Sequence, residues 1–463
     1  MLEKRPNSAH ARTSKARHVV AVIGGATAGA EIAGRLASHE TEVVIFERNP
    51  RPYGKIEDGL PRWHSALRDK ECAAIDEKLR NENVHYVPCS ALGIELSIEE
   101  LVHGWGFSAV VLAVGAWKDR PLPIPGASAY VNRGLVYQNP FIISFNHSED
   151  PTFSGTHFEA SDGVLVVGGG LASIDVMKVL MLETTRKALR TRGIEVALNE
   201  IETKGIPKIL GEKGLRWKDL RLKGATLFFR RGPEETSLVG IPPNASSEQI
   251  KKVQKSRVKV LKKAQEKYLF NFEPFSVPDG FLIDQGRVAG LRLRRTRVEG
   301  DLLILTGETF DRQGAYVVSS IGSIPEPIPG LPMAGELFAF SNPQFGRFAE
   351  HPTIFAAGNA VTGQGNIVAS RNHARLVSEE ALERYLGLAE GTPSSPVIGG
   401  EIQVAAETAG RIQAHLDRAR LPSVASYSAL IERVTERQVA VGYTCNYAEW
   451  IRRSTPIIDA KNF

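Results

Sequence analysis

Two glycine-rich stretches, GGATAG at 24–29 and GGGLAS at 168–173, have the residue types and spacing to hold a diphosphate. Glycines in this pattern present backbone N–H groups at the start of a helix, where the helix dipole favours negative charge. In the first stretch Gly24 makes the tight turn and Gly29 lets the helix approach its strand. Ala26, Thr27 and Ala28 lie between them, with Ala26 where a glycine is usual. Glu47 and Arg48 follow at the distance of an acid that accepts from a ribose hydroxyl. A carboxylate there repels a 2′-phosphate, so this site suits FAD or NAD; plain helix–strand packing is the alternative. In the second stretch Gly168 and Gly170 precede Leu171, Ala172, the small Ser173 and then Asp175. Downstream stand Arg230 and Arg231, and guanidinium groups bind phosphate through paired N–H donors. This second site therefore favours NADP(H), with NAD(H) left open; solvated strand-end charges are the alternative.

These residues need particular elements to position them. Apolar runs at 19–23 and 42–46 predict parallel strands around a helix over about 28–38. Runs at 164–167 and 225–229 predict the same around the second turn, separated by a long basic helical insertion at 183–224. Two further strands, at 108–114 and 316–321, end at Gly115 and Gly322 and lead into PLPIPG and PIPGLP, crossovers stiffened by proline. A last strand at 352–358 ends at Gly358 and Asn359. A turn with Gly365 and Asn366 then leads into a helix from Ile367, whose N-terminus stabilises negative charge on a reduced flavin. The fold class is α/β, with two Rossmann-type dinucleotide-binding domains, the NADP domain inserted into the FAD domain, plus a C-terminal extension. The expected boundaries are a flexible tail at 1–17, an FAD domain at 18–126 and 335–390, an NAD(P) domain at 127–334 and the extension at 391–463. Within the extension, 399–416 and 425–434 read as helices and the QVAVGY segment as a short strand and turn.

Composition narrows the function classes. The chain has 463 residues, 42% apolar and 24% charged, enough for two or three globular cores. No apolar run reaches the length of a membrane span. The first seventeen residues are polar and basic without an apolar core, which excludes a secretory signal. A cytoplasmic location is expected; a mitochondrial-matrix presequence is the alternative, with Glu3 and Pro6 against it. Cys72, Cys89 and Cys445 are far apart and form no CxxC pair, so no redox disulfide, metal site or iron–sulfur cluster is expected.

Together these motifs resemble the ferredoxin–NADP reductases of the adrenodoxin reductase type, flavoproteins on the glutathione-reductase fold; the small subunit of glutamate synthase is similar. The resemblance rests on GxGxxG at 24–29, PYG ending at Gly54, AVG ending at Gly115, GGGxxxxD from Gly168 to Asp175, RRGP at 230–233 and AAG ending at Gly358. It implies FAD on the first unit and NADP(H) on the second, with Arg230 and Arg231 on the 2′-phosphate. It also places His64, in LPRWH, beside the flavin as a catalytic candidate that polarises it or relays a proton; a surface histidine is the alternative. Leu171 replaces the asparagine of relatives, and Asn359 replaces an acid or tryptophan.

Without a cysteine pair, electrons from reduced flavin must leave the chain. The resemblance implies an acidic, ferredoxin-like iron–sulfur carrier or a partner redox subunit as acceptor. The residues 251–267, KKVQKSRVKVLKKAQEK, predict a basic helix packed through Val253, Val260 and Ala264, suited to such a partner; a merely solvated helix is the alternative. No aromatic residues interleave with the charge, so nucleic acid is not expected. The competing functions are an electron-input subunit of a larger oxidoreductase and a non-catalytic flavin-binding interaction protein.

Overall fold

The computed structural model describes residues 16–39, 41–242, 244–388, 419–444 and 446–456. The helix expected at 399–416, Cys445 and most of the N-terminal tail lie outside the described residues.

Thirteen strands carry the argument. They are β1 Val19–Ile23, β2 Glu42–Phe46, β3 Val84–Val87, β4 Ala109–Leu112, β5 Leu135–Tyr137, β6 Leu165–Gly168, β7 Thr226–Phe228, β8 Asn271–Glu273, β9 Ser276–Asp284, β10 Arg287–Glu299, β11 Leu302–Gln313, β12 Val317–Ser320 and β13 Ile354–Ala356. The helices that matter are α1 Thr27–Ala37, α2 Ser65–Leu79, α3 Gln138–Asn146, α4 Leu171–Arg190, α5 Ser247–Tyr268, α6 Ile367–Val377, α7 Val424–Ala440 and α8 Tyr447–Ser454.

Among the described residues the chain forms two compact units. The first runs to Glu57 and resumes over Ala66–Trp117 and Ile324–Pro456; the second holds Asp58–Ser65 and Lys118–Ser323. The joints therefore fall some ten residues before the expected 126/127 and 334/335. Packing explains the difference. Leu122, Ile124 and Ala127 join the core of the second unit with Leu135 and Phe228, whereas Ile328 and Leu331 join that of the first with Leu112 and Ile354.

In the first unit five parallel strands lie in the order β13-β4-β1-β2-β3. Val19 to Ile23 are buried throughout, as strands covered on both faces require. Ile23 stands opposite Phe46 on one side and Leu112 on the other. Helices α7 and α8 also belong to this unit. The strand expected in QVAVGY is not formed; those residues finish α7 and turn at Gly442. Helical spacing wins there because Tyr427, Leu430, Val434 and Gln438 recur every three or four residues and are buried, while Val439 faces solvent.

The second unit repeats the plan, with five parallel strands in the order β5-β12-β6-β7-β8. A three-stranded antiparallel sheet, β9-β10-β11, is added to it. The insertion after the second glycine turn is helical, through the rest of α4 and the short helices Leu198–Lys204, Ile206–Glu212 and Trp217–Leu220. On α5 the packed face is Val253, Leu261, Ala264 and Tyr268. Val260, expected on that face, is 38% exposed, because the periodicity runs through its neighbour Leu261.

Candidate dinucleotide-binding sites

In each unit the strand that leads into a glycine turn sits mid-sheet, where the strand order reverses. Ligands of open parallel sheets bind at that crevice, beyond the C-terminal strand ends. The glycines are forced by geometry. Gly24 has φ +99°, and a Cβ on it would lie 2.7 Å from the Ala113 carbonyl oxygen that follows β4. A Cβ on Gly168 would lie 2.4 Å from the Ser320 carbonyl oxygen at the end of β12. The same close approach of turn to neighbouring strand is built twice. A Cβ on Gly29 would fall 1.9 Å from the Gly24 carbonyl oxygen, so α1 can start where it does only with glycine there.

At the first site the start of α1 has no side-chain cap, since Ala26 offers no acceptor, and its backbone donors stay directed outward. Glu47 is buried just past β2, where one carboxylate oxygen accepts from the Gly25 N–H at 2.8 Å and the other from the Asn49 N–H at 3.0 Å. Its carboxylate thus braces the turn. Arg48 stacks on the Trp117 ring at 4.4 Å and pairs with Glu326 at 3.3 Å. Gly54, at φ +49°, would bring a Cβ within 3.0 Å of Ala26 Cβ, and Gly115, at φ +68°, within 3.7 Å of Trp117 Nε1. Trp117 thus lies between two expected cofactor glycines. Sequence reasoning missed it, although it stands only two residues after Gly115.

Gly358, at φ +76°, brings the turn after β13 against Ala28 on α1 and donates its N–H to His373 Nδ1 at 3.1 Å. The His373 ring is half-buried, and the loss of solvent lowers its pKa, in keeping with the acceptor role of Nδ1 in this bond. Next to it, Asn359 Oδ1 is shielded from solvent and has no hydrogen-bond partner among the described residues. A buried acceptor without a donor costs about 1–3 kcal/mol, and a ribityl hydroxyl is the kind of group that would satisfy it. The Asn366 side chain accepts from Ala369 N–H at 2.7 Å as the N-cap of α6. Gly365 and Ile367 flank it at the start of that helix. The outward backbone donors, the cradle of glycines and the orphaned Asn359 oxygen fit FAD.

At the second site the space is open. Nothing lies within 4 Å of where a Cβ on Gly170, the N-cap of α4, would stand. Ser173 is buried and donates to the Gly170 carbonyl at 2.6 Å, and the turn is bridged to Ser237, whose N–H donates to the Gly169 carbonyl at 2.8 Å. Leu171 at the first helical position is 58% exposed, an uncovered apolar group beside that space, and Ala172 is half-buried next to it. Past β7 the two arginines separate. Arg231 pairs with Glu235 at 2.6 Å and donates to the Asp301 carbonyl at 2.8 Å. Arg230 is exposed, and its side chain has no hydrogen bond or ion pair among the described residues. Only Arg230 offers an unengaged guanidinium to a phosphate. These residues fit a 2′-phosphorylated nicotinamide dinucleotide.

His64 belongs to the second unit, where its Nε2 lies 3.6 Å from an Asp175 carboxylate oxygen. The end of α3 pins its segment. Asn146 donates to the carbonyls of Asp58 and Leu60 at 2.9 and 3.0 Å, His147 pairs with Asp58 at 2.9 Å, and Trp63 packs on Phe145. The motif aspartate and the expected histidine, more than a hundred residues apart in sequence, are thus brought together. The pinning residues carried no signal in the sequence.

The described cysteines, Cys72 and Cys89, are unpaired. Burial pushes the Cys72 thiol up to about 12 and raises that of Cys89, so neither is a ready thiolate. No group of side chains among the described residues has the makings of a metal site.

Two glycine-turn crevices on parallel sheets, one lined by an acid and one by a free guanidinium, define a two-dinucleotide α/β oxidoreductase. Residues 18–204 match the family model for pyridine nucleotide-disulphide oxidoreductases. Among curated proteins the chain is 26% identical over 390 residues to the mitochondrial NADPH:adrenodoxin oxidoreductase of Arabidopsis thaliana, covering 76% of this chain and 78% of that one. A stretch of 107 residues is 36% identical to the glutamate synthase [NADPH] small chain of Mycobacterium tuberculosis, 23% of this chain and 21% of the relative. Among solved structures, Mycobacterium tuberculosis FprA in complex with NADPH superposes with a TM-score of 0.65 at 17% identity, over 96% of this chain and 97% of FprA. In sequence and fold the chain is similar to the adrenodoxin reductase-type flavoprotein reductases.

Proposed function

We propose that this chain is an FAD-dependent oxidoreductase that takes electrons from NADPH and passes them to an iron–sulfur protein. The observation that carries the reading is the duplicated crevice, braced by Glu47 in one unit and lined by the unengaged Arg230 in the other. When bound, the flavin and the nicotinamide supply hydride transfer and the conversion between two-electron and one-electron carriers. The chain's own work is placement and electrostatics. The α1 and α4 N-termini and their turns hold diphosphates, Arg230 selects the 2′-phosphate, and the start of α6 faces developing negative charge. His64, oriented by Asp175, is the group we assign to proton exchange.

The acceptor we infer is acidic. Lys251, Lys252, Lys255, Lys259, Lys262 and Lys263 are all exposed on α5, within one face opposite the buried Leu261 and Tyr268. They span about 18 Å of helix at 1.5 Å per residue. Lys252 and Lys262 meet Glu248 and Glu266 on the same helix, so the stripe is only partly neutralised. Such a field speeds encounter with an acidic carrier and weakens with salt. Reversing Lys251, Lys255 and Lys259 to glutamate is expected to raise the KM for an acidic ferredoxin by about tenfold or more at low salt. Flavin reduction by NADPH should be unaffected in the same variant. An unchanged KM would remove α5 from the docking surface.

The local identity to a glutamate synthase small chain favours a second reading, an electron-input subunit of a larger oxidoreductase. Co-purification with another redox subunit would support it. No helix among the described residues is long and apolar enough to cross a membrane. The unpaired Cys72 and Cys89 fit a reducing compartment, which we take to be the cytoplasm.

A further inference from the structure

The loop 50–54, which ends at Gly54, lies against the diphosphate turn of the first unit. A Cβ on Gly25 would come within 2.6 Å of Pro52 Cβ, and one on Gly54 within 3.0 Å of Ala26 Cβ. The position of this loop therefore sets the width of the turn that would receive the FAD diphosphate. What holds the loop on its other side comes largely from the C-terminal helix α8. Trp450 donates its indole N–H to the Pro50 carbonyl at 2.6 Å, and Arg51 donates to the Ser454 carbonyl at 2.7 Å. Tyr447 and Tyr53 both donate to one Asp76 carboxylate oxygen, at 2.7 and 3.0 Å, so α8 and the loop share an anchor on α2. Tyr86 adds a bond to the Pro50 carbonyl at 3.1 Å, and its ring meets those of Tyr447 and Tyr443 edge-on. Arg51, Tyr53, Tyr447 and Trp450 are all less than 10% exposed, so these bonds are shielded from competing water.

We infer that α8 is a positioning element for FAD, with Trp450 and Tyr447 as its positioning residues, holding the loop 50–54 closed on the diphosphate turn. The inference rests on the flavin reading above. It is specific because these bonds lie beside the main core of the first unit: Tyr53, Tyr447 and Trp450 are not among the side chains packed with Val19, Phe46, Leu112 and Ile354. Loosening α8 should free the loop, and with it the cofactor, before it unfolds the sheet.

The test uses the full chain loaded with FAD. Trp450→Phe keeps most of the ring and removes the N–H; Tyr447→Phe removes one hydroxyl. FAD release is followed by the fluorescence of the freed flavin, and the melting temperature of the apoprotein is recorded alongside. The expected result is release roughly fivefold to tenfold faster in Trp450→Phe, the effect of one net buried hydrogen bond. The apoprotein melting temperature should stay close to that of the parent. Unchanged release in both variants would overturn the inference, as would a fall in apoprotein stability without faster release. Should Trp450→Phe fail to fold, the milder Tyr447→Phe decides. A parent protein that takes up no FAD would instead overturn the flavin reading and the inference with it.

Discussion

Replacing Gly170 by alanine is expected to leave the protein folded and FAD-loaded while raising the KM for NADPH by about one to two orders of magnitude. Gly170 has φ −106° and ψ 177°, which alanine adopts without strain, and among the described residues no atom beyond its chain neighbours lies within 4 Å of the added methyl. In the protein alone, then, the substitution costs little. The methyl would stand instead in the open space at the start of α4, where a diphosphate must approach the backbone closely. Losing one such charge-assisted hydrogen bond is worth about 1.5–3 kcal/mol. Gly168→Ala is the contrast, because its methyl meets the Ser320 carbonyl oxygen and disturbs the fold itself. Melting temperature, flavin content and KM measured on Gly170→Ala separate the two effects. A normal KM with a normal fold would mean that this turn does not receive the nucleotide.

The arginines that follow β7 should also separate. Arg230→Ala is expected to raise the KM for NADPH about tenfold to a hundredfold and to leave the KM for NADH nearly unchanged. Removing the guanidinium would remove the contact proposed for the 2′-phosphate. Arg231→Ala should have the smaller effect on NADPH and the larger effect on stability, because Arg231 ties Glu235 to the Asp301 carbonyl. Steady-state kinetics with both nucleotides, together with melting curves, check the pair. Equal effects on NADPH and NADH in Arg230→Ala would contradict its role in phosphate selection.

The two βαβ units were legible because their signals are local. Apolar strands, glycine turns and a terminal acid or arginine each lie within some seventy residues of sequence, even across the helical insertion. The similarity of RRGP at 230–233 to relatives pointed to both arginines alike, yet only contacts from Glu235 and Asp301 tell them apart. Asn366 is a similar case. An asparagine before a helix reads equally as a ligand or as a cap, and the cap was used. The β-branched run in QVAVGY imitated a strand, but the buried face of α7 is set by Tyr427, Leu430 and Val434, which lie upstream of it. Trp117, the pin from Asn146 and His147, and the bonds from α8 to the loop 50–54 depend on residues brought together across long separations. No single stretch of sequence encodes them.

A flavin that NADPH reduces is what the two crevices require of this chain. An anaerobic titration tests it most directly: the purified yellow protein is mixed with NADPH and, separately, with NADH, and the flavin absorbance is followed. Rapid and complete bleaching by NADPH and distinctly slower bleaching by NADH are expected. A yellow protein that neither nucleotide reduces would contradict this expectation.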